Sequence, residues 1–292
     1  DAASLCFKSG NTTILRGGKE AIHSNQIIAK IMLEAAAKVL PAFPPDAIQV
    51  VPTIDRAAIP ELLSLTQDVD LCIPRGGESL IRAVAECSQV PVIKHYKGVC
   101  HVYIDGGADA SMAEEVAFNS KVHRPGVCNA AETLLVDRAI AAEALPRLAK
   151  RLAEANVELR GDEATQSLLD GSGLGVTPVV ESDWDEEYLD LVLSVKVVDG
   201  VGEAIEHINT HGSGHTETIV TGDESVAKRF QVEVDSSTIF WNASTRFADG
   251  AQFGMGAEIG ISTDKIGARG PMGLEELTSY KWLGVADGLI RP

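Results

Sequence analysis

The stretch KVHRPGVCNAAETLLV, residues 121–136, joins a sharp turn, a cysteine and an apolar run. Pro125 and Gly126 interrupt any regular element, so a turn is predicted directly before Cys128. The run at 133–136 is largely apolar, which predicts a buried strand. The segment therefore places a thiol at the tip of a turn that leads into the core.

Strands and helices alternate outward from this segment in both directions. On its amino-terminal side, apolar runs at 12–16, 47–52, 70–74, 90–94 and 98–105 are separated by helical patterns. On its carboxyl-terminal side, further runs lie at 157–162, 189–198, 217–221 and 237–242. Since nearly continuous apolar strands separated by helices are typical of parallel sheets covered on both faces, we predict an α/β fold with two such units.

Composition limits the classes of function. The chain has 292 residues, of which 45% are hydrophobic, and this length predicts a large core in two domains. A formal net charge of −17 argues against nucleic acid and anionic membranes as partners, but leaves a small anionic substrate possible. The absence of any membrane-length apolar run and of a signal-peptide pattern predicts a cytoplasmic protein.

The five cysteines form no CxxC pair, which indicates a reducing compartment without a disulfide framework or zinc cluster. The histidines show no convincing ligand spacing either, since Gly212 ends the helix that would carry His207 and His211. We therefore predict no metal. Because the chain opens without Met on what reads as a helix end, we also expect that a segment precedes it.

Cys128 has two interpretations. Lys121, His123 and Arg124 are close in sequence, and free N–H groups after Asn129 would stabilise a thiolate or an oxyanion. These features favour a nucleophile. The alternative, a structural thiol, stays open because most half-buried cysteines have no chemical role.

Two glycine turns follow predicted strands. In IPRGGESLI (73–81) Arg75, Gly76 and Gly77 precede a helix, so the turn either binds a phosphate or only relieves backbone strain. In ILRGGKEA (14–21) the cations Arg16 and Lys19 flank Gly17 and Gly18, where they would meet a ribose or a 2′-phosphate, or else lie in solvent. The glycine-rich loops at 242–260 and 268–282 either cover an active site or are plain surface.

Taken together, these segments resemble the γ-glutamyl phosphate reductases of the aldehyde dehydrogenase superfamily. The resemblance covers nearly the whole chain and is carried by SGNTTILRGGKEA (9–21), DLCIPRGGESLI (70–81), GVCHVYID (98–105), HRPGVCNAAETLLV (123–136), VDSSTIFWNASTRFADGAQFGMGAEIGISTDK (234–265), ARGPMGLEELTSYKW (268–282) and IRP (290–292).

The resemblance implies an aldehyde dehydrogenase-like α/β fold in three parts. These are a Rossmann-like cofactor domain at 1–95 that lacks its first strands, an α/β catalytic domain at 96–268, and a carboxyl-terminal return and oligomerisation arm at 269–292. It further implies NADPH as cofactor, a homo-oligomer, and glutamate 5-kinase as a pathway neighbour or fused domain.

The resemblance also implies roles for particular residues. Cys128 matches the family's nucleophile. The positions implied to bind the cofactor are Arg16, Gly17, Gly18, Lys19, Arg75, Gly76, Gly77 and Glu187. The positions implied to bind substrate are Arg124, Asn242, Ser244, Arg246 and Phe253.

The implied reaction is the NADPH-dependent reduction of γ-glutamyl 5-phosphate to glutamate 5-semialdehyde through a thioester on Cys128, a step of proline biosynthesis. A hydrolytic semialdehyde dehydrogenase is the alternative enzyme. It is disfavoured because IKHYKGVCHVY (93–103) holds no carboxylate to activate water. Lys94, His95 and Lys97 instead place positive charge there, for a phosphate or carboxylate of the substrate. A truncated, non-catalytic chain that acts only in assembly is the third possibility.

Overall fold

The structure is a computed structural model that describes residues 2–291, so Asp1 and the Pro292 of the IRP run lie outside the described residues. The strands are β1 (Thr13–Leu15), β2 (Ile48–Val50), β3 (Cys100–Ile104), β4 (Ala131–Asp137), β5 (Glu158–Gly161), β6 (Val176–Pro178), β7 (Val192–Val198), β8 (Thr216–Val220), β9 (Thr238–Trp241), β10 (Gly260–Ser262) and β11 (Gly270–Met272). The α-helices are α1 (Ala2–Lys8), α2 (Ile22–Val39), α3 (Ala58–Leu62), α4 (Glu78–Cys87), α5 (Ala110–Val122), α6 (Arg138–Glu154), α7 (Glu163–Leu169), α8 (Val201–His211) and α9 (Glu224–Glu233).

The strand predicted after Cys128 is β4, the middle strand of a seven-stranded sheet with the order β6-β5-β7-β4-β3-β8-β9. All its pairings are parallel, with Leu134 beside Val102 of β3 and Val195 of β7. Six of the seven residues of β4 are buried, because the strand has neighbours on both sides and helices on both faces. The predicted parallel α/β sheet is confirmed for this part of the chain.

Helices cover the two faces of this sheet with separate apolar cores. One core packs α5, α6 and α7 against side chains such as Leu134 and Val195. The other packs α8 and α9 against Tyr103, Leu135 and Ile219. Since a fully buried Leu or Val contributes about 1.5–3 kcal/mol, these two cores stabilise the scaffold on which the strand ends are held.

The first part of the chain forms much less sheet than predicted. β1 and β2 pair in parallel over three residues each, while the runs at 70–74 and 90–94 form only a bridge between Cys72 and Val92. On α2, Ile27, Ile28 and Ile31 are 50–55% exposed. No further strand or helix of the described residues packs against the side of α2 that carries these isoleucines. The prediction that the sheet in the first part of the chain is covered on both faces is therefore wrong for the described residues.

After β9 the chain runs through a loop with a 3₁₀ turn at Thr245–Phe247 and then forms the antiparallel pair β10–β11. The tail at 278–291 contains no strand, and its apolar side chains are open to solvent, with Trp282 91% and Val285 97% exposed. Among the described residues, no helix is both long and apolar enough to cross a membrane.

Candidate active site

Three loops meet at the amino-terminal edge of the large sheet. They comprise residues 93–99, 123–130 and 212–215, and they lead into β3, β4 and β8. These strands are parallel neighbours, so their first residues lie side by side, with Cys100 aligned to Ala131. Side chains from distant parts of the sequence therefore converge on the turn that carries Cys128.

The Cys128 turn is held by close backbone contacts. The Ala130 N–H donates to the Val127 carbonyl at 3.0 Å, and the Cys100 thiol donates to the Cys128 carbonyl at 3.2 Å. A Cβ atom on Gly98 would lie 2.0 Å from that same carbonyl oxygen, so only glycine fits without a backbone shift. The turn is thus locked against the loop before β3.

Asn129 anchors the other side of the turn. Its Nδ2 donates to the Ala248 carbonyl at 2.9 Å, while its Oδ1 is buried without a partner. The chain forms a turn at 128–129, without a helix, and then continues into β4.

The Cys128 thiol is half-buried and free. Burial raises its pKa to about 11, with further contributions from the Glu187 and Glu258 carboxylates, whereas its own backbone N–H and Arg75 act in the opposite direction. In this form of the protein the thiol is therefore protonated at neutral pH.

The cations predicted beside the sulfur are only partly present. Lys121 is fully buried and pairs with the Glu132 carboxylate at 2.5 Å, so the expectation that it neighbours the thiol is wrong. A buried ammonium requires a counter-ion, and β4 provides one. The His123 Nδ1 accepts from the Arg246 Nε at 3.4 Å. Burial and the nearby Arg124 lower the pKa of Arg246, while the Cys128 sulfur raises it, so the arginine lies in the electrostatic environment of the thiol.

Carboxylates reach the thiol from segments outside 93–103. The Glu187 Oε1 accepts from the Gly98 N–H at 2.9 Å, and the Glu258 Oε2 accepts from the Gly250 N–H at 2.9 Å. Burial raises the pKa of both carboxyl groups. The segment 93–103 itself holds no carboxylate, as noted from the sequence, and these two groups come from other segments.

Two histidines lie beside Cys128. Ligand atoms of His95, Cys128 and His215 all lie within 4.8 Å of one another. The His215 Nδ1 is 2.8 Å from the Thr216 Oγ1, and its Nε2 is buried without a partner. Burial, with His95 as a second cause, lowers the pKa of His215 to about 3, so its imidazole is neutral.

The lysines of the 93–99 loop are engaged elsewhere. The Lys94 Nζ pairs with Asp264 at 3.3 Å, and the Lys97 Nζ donates to the Asp185 carbonyl at 3.3 Å and lies 4.0 Å from Glu78. Of the three basic residues predicted in this loop, only His95 belongs to the cluster at the thiol.

The predicted substrate residues divide into two groups. Asn242 follows β9 at the opposite edge of the sheet, where its Oδ1 accepts from the Thr221 N–H at 2.9 Å and its Nδ2 donates to the Thr221 carbonyl at 3.0 Å. Its side chain therefore holds a turn and does not lie with Cys128. Phe253 packs on Phe240 with ring centroids 6.2 Å apart.

Ser244 has a structural environment as well. It is buried, it accepts from Ser120 Oγ at 3.1 Å, and it caps the 3₁₀ turn that carries Arg246. Of the predicted substrate residues, Arg246 thus lies in the electrostatic environment of the thiol, and Arg124 lies near Arg246.

The glycine turn at 14–21 borders a cavity of about 250 Å³ between β1, β2 and α2. Its lining residues are Leu15, Arg16, Gly17, Asn25, Ile28, Ala29, Met32, Ile48 and Val50. The Arg16 Nη2 donates to the Ile54 and Asp55 carbonyls, whereas its Nε is buried without a partner. An apolar cleft in which one arginine N–H has no hydrogen-bond partner fits the adenosine end of a nicotinamide cofactor. Gly18 and Lys19 continue this turn into the 3₁₀ turn Lys19–Ala21.

The glycine turn at 73–81 leads into α4. Gly77 is the residue before the helix, and the space beside its Cα is open, as a phosphate-binding turn requires. Gly76 precedes it at a φ of 157°. The Arg75 guanidinium lies beside Gly260, and its charge lowers the pKa of Cys128, so it belongs to the electrostatic environment of the thiol as well.

Sequence reasoning missed Glu258 and His215. His215 could have been found from the strand order, because the loops before β3, β4 and β8 meet if those strands are parallel neighbours. The sequence alone does not give that order. For Glu258 no local signal existed, because a loop positions it.

A sequence profile of the aldehyde dehydrogenase family matches residues 2–168. The chain is 53% identical over 291 residues to a γ-glutamyl phosphate reductase of Geobacter metallireducens, and it covers 100% of its own length and 68% of that protein.

Solved structures agree with this match. The crystal structure of γ-glutamyl phosphate reductase from Thermotoga maritima superposes with a TM-score of 0.95 at 44% identity, covering 100% of this chain and 69% of that one. An acetylating aldehyde dehydrogenase from Geobacillus thermoglucosidasius shares the fold, with a TM-score of 0.74 at 22% identity over 99% of this chain and 72% of its own. The chain belongs to the aldehyde dehydrogenase family and, within it, to the γ-glutamyl phosphate reductases.

Proposed function

We propose that the protein reduces γ-glutamyl 5-phosphate to glutamate 5-semialdehyde with NADPH, as a step of proline biosynthesis. As a member of its family it is an oxidoreductase that uses a nicotinamide cofactor. The observation that carries the proposal is the half-buried Cys128 thiol, held at the sheet edge between arginines and a free imidazole nitrogen.

Cys128 is the proposed nucleophile. Its sulfur attacks the acyl carbon, a C–S bond forms, the C–O bond to phosphate breaks, and inorganic phosphate leaves. The thiol proton must be lost for this attack, since the pKa of Cys128 in this form is about 11. Arg75 and the backbone N–H of Cys128 favour the thiolate.

Arg124 and Arg246 suit the anionic ends of the substrate, because guanidinium groups bind carboxylate and phosphate with paired donors. Ser244, Asn242 and Phe253 support this loop in the proposal, with Ser244 capping the turn of Arg246. Arg246 interacts with the thiol and Arg124 lies near Arg246, so these two residues are proposed as the principal substrate contacts.

Arg16, Gly17, Gly18 and Lys19 would hold the adenosine end of the cofactor, with Arg75, Gly76 and Gly77 at its phosphates and Glu187 near the nicotinamide ribose. Bound NADPH supplies the hydride that reduces the thioester. Glu187 supports this role because its carboxylate lies beside the Cys128 turn through the Gly98 N–H. The protein must also keep water from the thioester until the semialdehyde is released and Cys128 is a free thiol again.

A hydrolytic dehydrogenase is the second candidate, because Glu187 and Glu258 both act on the thiol and have raised pKa values. A carboxylate with a raised pKa is suited to activate water. Both carboxylates, however, already accept backbone N–H groups, which ties them to their loops.

One assay separates the two candidates. NADP⁺ reduction is followed with glutamate 5-semialdehyde in the presence and in the absence of inorganic phosphate. The proposed reductase requires phosphate to release the acyl group, whereas phosphate-independent turnover would establish the hydrolytic enzyme. Absence of turnover under both conditions would favour the non-catalytic chain, and activity in Cys128→Ser would disprove the nucleophile assignment.

The organisation of the protein is proposed in the same terms. Residues 1–95 contribute to cofactor binding, 96–268 carry catalysis, and 269–292 form the return and oligomerisation arm of a cytoplasmic homo-oligomer. The exposed Tyr280 and Trp282 support the arm, since exposed aromatic side chains are typical of interfaces. Glutamate 5-kinase is the proposed pathway neighbour or fused domain, because it would supply the acyl phosphate.

A further inference from the structure

We propose that His95, Cys128 and His215 form a binding site for Zn²⁺ or a similar thiophilic divalent cation. One ligand atom from each residue lies within 4.8 Å of the other two. Two imidazoles and a thiolate are a ligand set that zinc favours, with a fourth position left for water or another ligand. The three residues come from the three loops at the sheet edge, which explains why no spacing motif announces them.

His215 supplies the observation that points to a ligand. Its side chain has no exposed surface, and its Nδ1 lies 2.8 Å from Thr216 Oγ1. A proton on Nδ1 donated to that hydroxyl leaves a lone pair on Nε2, and Nε2 has no partner. Histidines that bind metals commonly use one ring nitrogen for such a hydrogen bond and the other for the ion.

His95 supplies the second imidazole. Its ring lies edge-on to that of His215, with centroids 5.7 Å apart, and one of its nitrogens lies within 4.8 Å of the Cys128 sulfur and of a nitrogen of His215. The two imidazoles therefore face the same space as the thiol.

The geometry needs only a modest contraction. Zinc binds sulfur at about 2.3 Å and imidazole nitrogen at about 2.0–2.1 Å, which places tetrahedral ligands roughly 3.4–3.7 Å apart. Since the ligand atoms lie within 4.8 Å of one another, they must approach by at most about 1.4 Å.

The charges around the site balance the cation. When the ion binds, the Cys128 S–H bond breaks, the proton passes to solvent, and a Zn–S bond forms without electron transfer. The two-plus ion and the thiolate leave one positive charge. Glu187 and Glu258 act on the same sulfur with negative charge, and Arg75 opposes them.

Metal binding would occupy the sulfur and block acylation reversibly. This consequence rests on the proposed function of Cys128, but the binding itself does not, so binding is measured without substrate or turnover. A failure of catalysis would leave the binding result standing, and the reverse also holds.

The test is titration calorimetry of chelator-treated protein with Zn²⁺, together with absorption spectra of the Co²⁺ complex. We expect one high-affinity ion per chain, a thiolate-to-cobalt charge-transfer band, and protection of Cys128 from alkylation. Affinity should fall at least about tenfold in His95→Gln and in Cys128→Ser, since each removes a ligand. Cys87→Ser, at an exposed thiol on α4, and His211→Gln are matched controls that should leave affinity unchanged.

Equal affinity in His95→Gln, Cys128→Ser and the unmodified protein would overturn the proposal and reveal an adventitious surface site. A Co²⁺ complex without a thiolate-to-cobalt charge-transfer band would also overturn the proposal. This spectrum is recorded on the unmodified protein, so it does not depend on whether a variant folds.

Discussion

The Lys121 ammonium and the Glu132 carboxylate form an ion pair behind the Cys128 turn, with neither side chain exposed to solvent. Lys121 lies in the last turn of α5 and Glu132 is the second residue of β4, so the pair joins the helix before the turn to the strand after it. Burial raises the pKa of Glu132 to about 7 and lowers the pKa of Lys121, and each partner opposes the shift of the other.

Replacing Lys121 alone should therefore be costly. Lys121→Met leaves a buried carboxylate without its counter-ion, and we expect a loss of about 3–5 kcal/mol in the free energy of unfolding. Urea denaturation measures it. The double variant Lys121→Met/Glu132→Leu should recover most of the loss, because two apolar side chains replace the pair. Equal destabilisation in the single and double variants would contradict this account.

Gly98→Ala should impair activity more than stability. The added Cβ meets the Cys128 carbonyl at 2.0 Å, so the turn or the loop must shift. A displacement of about 1 Å at a reacting atom costs on the order of 100-fold in rate, and we expect kcat/KM to fall by that order. Gly175→Ala is the matched control, since its Cβ meets nothing within 4 Å and it lies outside the site. Unchanged kinetics in Gly98→Ala would show that the contact does not position the thiol.

Acid should destabilise the fold through His207. Burial, with nearby cations as further causes, lowers its pKa to about 2, so the native state stays neutral while the unfolded state takes up a proton below about pH 6.5. The free energy of unfolding therefore decreases as the pH falls below 6.5. At pH 5 the contribution of His207 to this decrease is about 2 kcal/mol.

The measurement is the unfolding free energy of the protein and of His207→Leu at several pH values between 5 and 8. His207→Leu should show a shallower dependence, reduced by one proton, whereas the exposed His23→Gln should keep the original slope. Parallel curves for all three would refute the assignment to His207.

Arg246→Gln should weaken substrate binding. Losing one charged hydrogen-bond donor costs about 1.5–3 kcal/mol, so we expect KM for the semialdehyde to rise roughly 10- to 100-fold with a smaller change in kcat. Steady-state kinetics measure both. Arg229→Gln, which removes an exposed pair with Glu233 on α9, is the matched control. A loss confined to kcat would place Arg246 at the reacting centre and not at a remote carboxylate.

The sequence predicted the central strand and its turn because both are local features. The run Thr133–Val136 marks β4, and Pro125 with Gly126 follows the end of α5 ahead of it. The helical pattern between the runs at 12–16 and 47–52 is α2. These elements depend on short-range preferences, which a single chain displays.

The rest depended on contacts between distant segments. Lys121 was expected at the thiol because it is near in sequence, yet desolvation forces it to pair with Glu132. Glu258 and His215 lie 130 and 87 residues beyond Cys128, and only the strand order and the loop paths bring them there. Asn242 was predicted beside the substrate, whereas its backbone follows β9 toward the opposite edge.

The sheet order has a consequence for how this chemistry can change. The three loops that build the site each end where a strand begins, so the side chains that face the thiol lie outside the strand pairings that fix the sheet. The acetylating enzyme with 22% identity and a TM-score of 0.74 shows how far sequence can diverge on this scaffold. Redesign of reactivity would thus begin at the exposed positions of 93–99, 123–130 and 212–215, with Gly98, Asn129 and His215 kept because they hold the loops together.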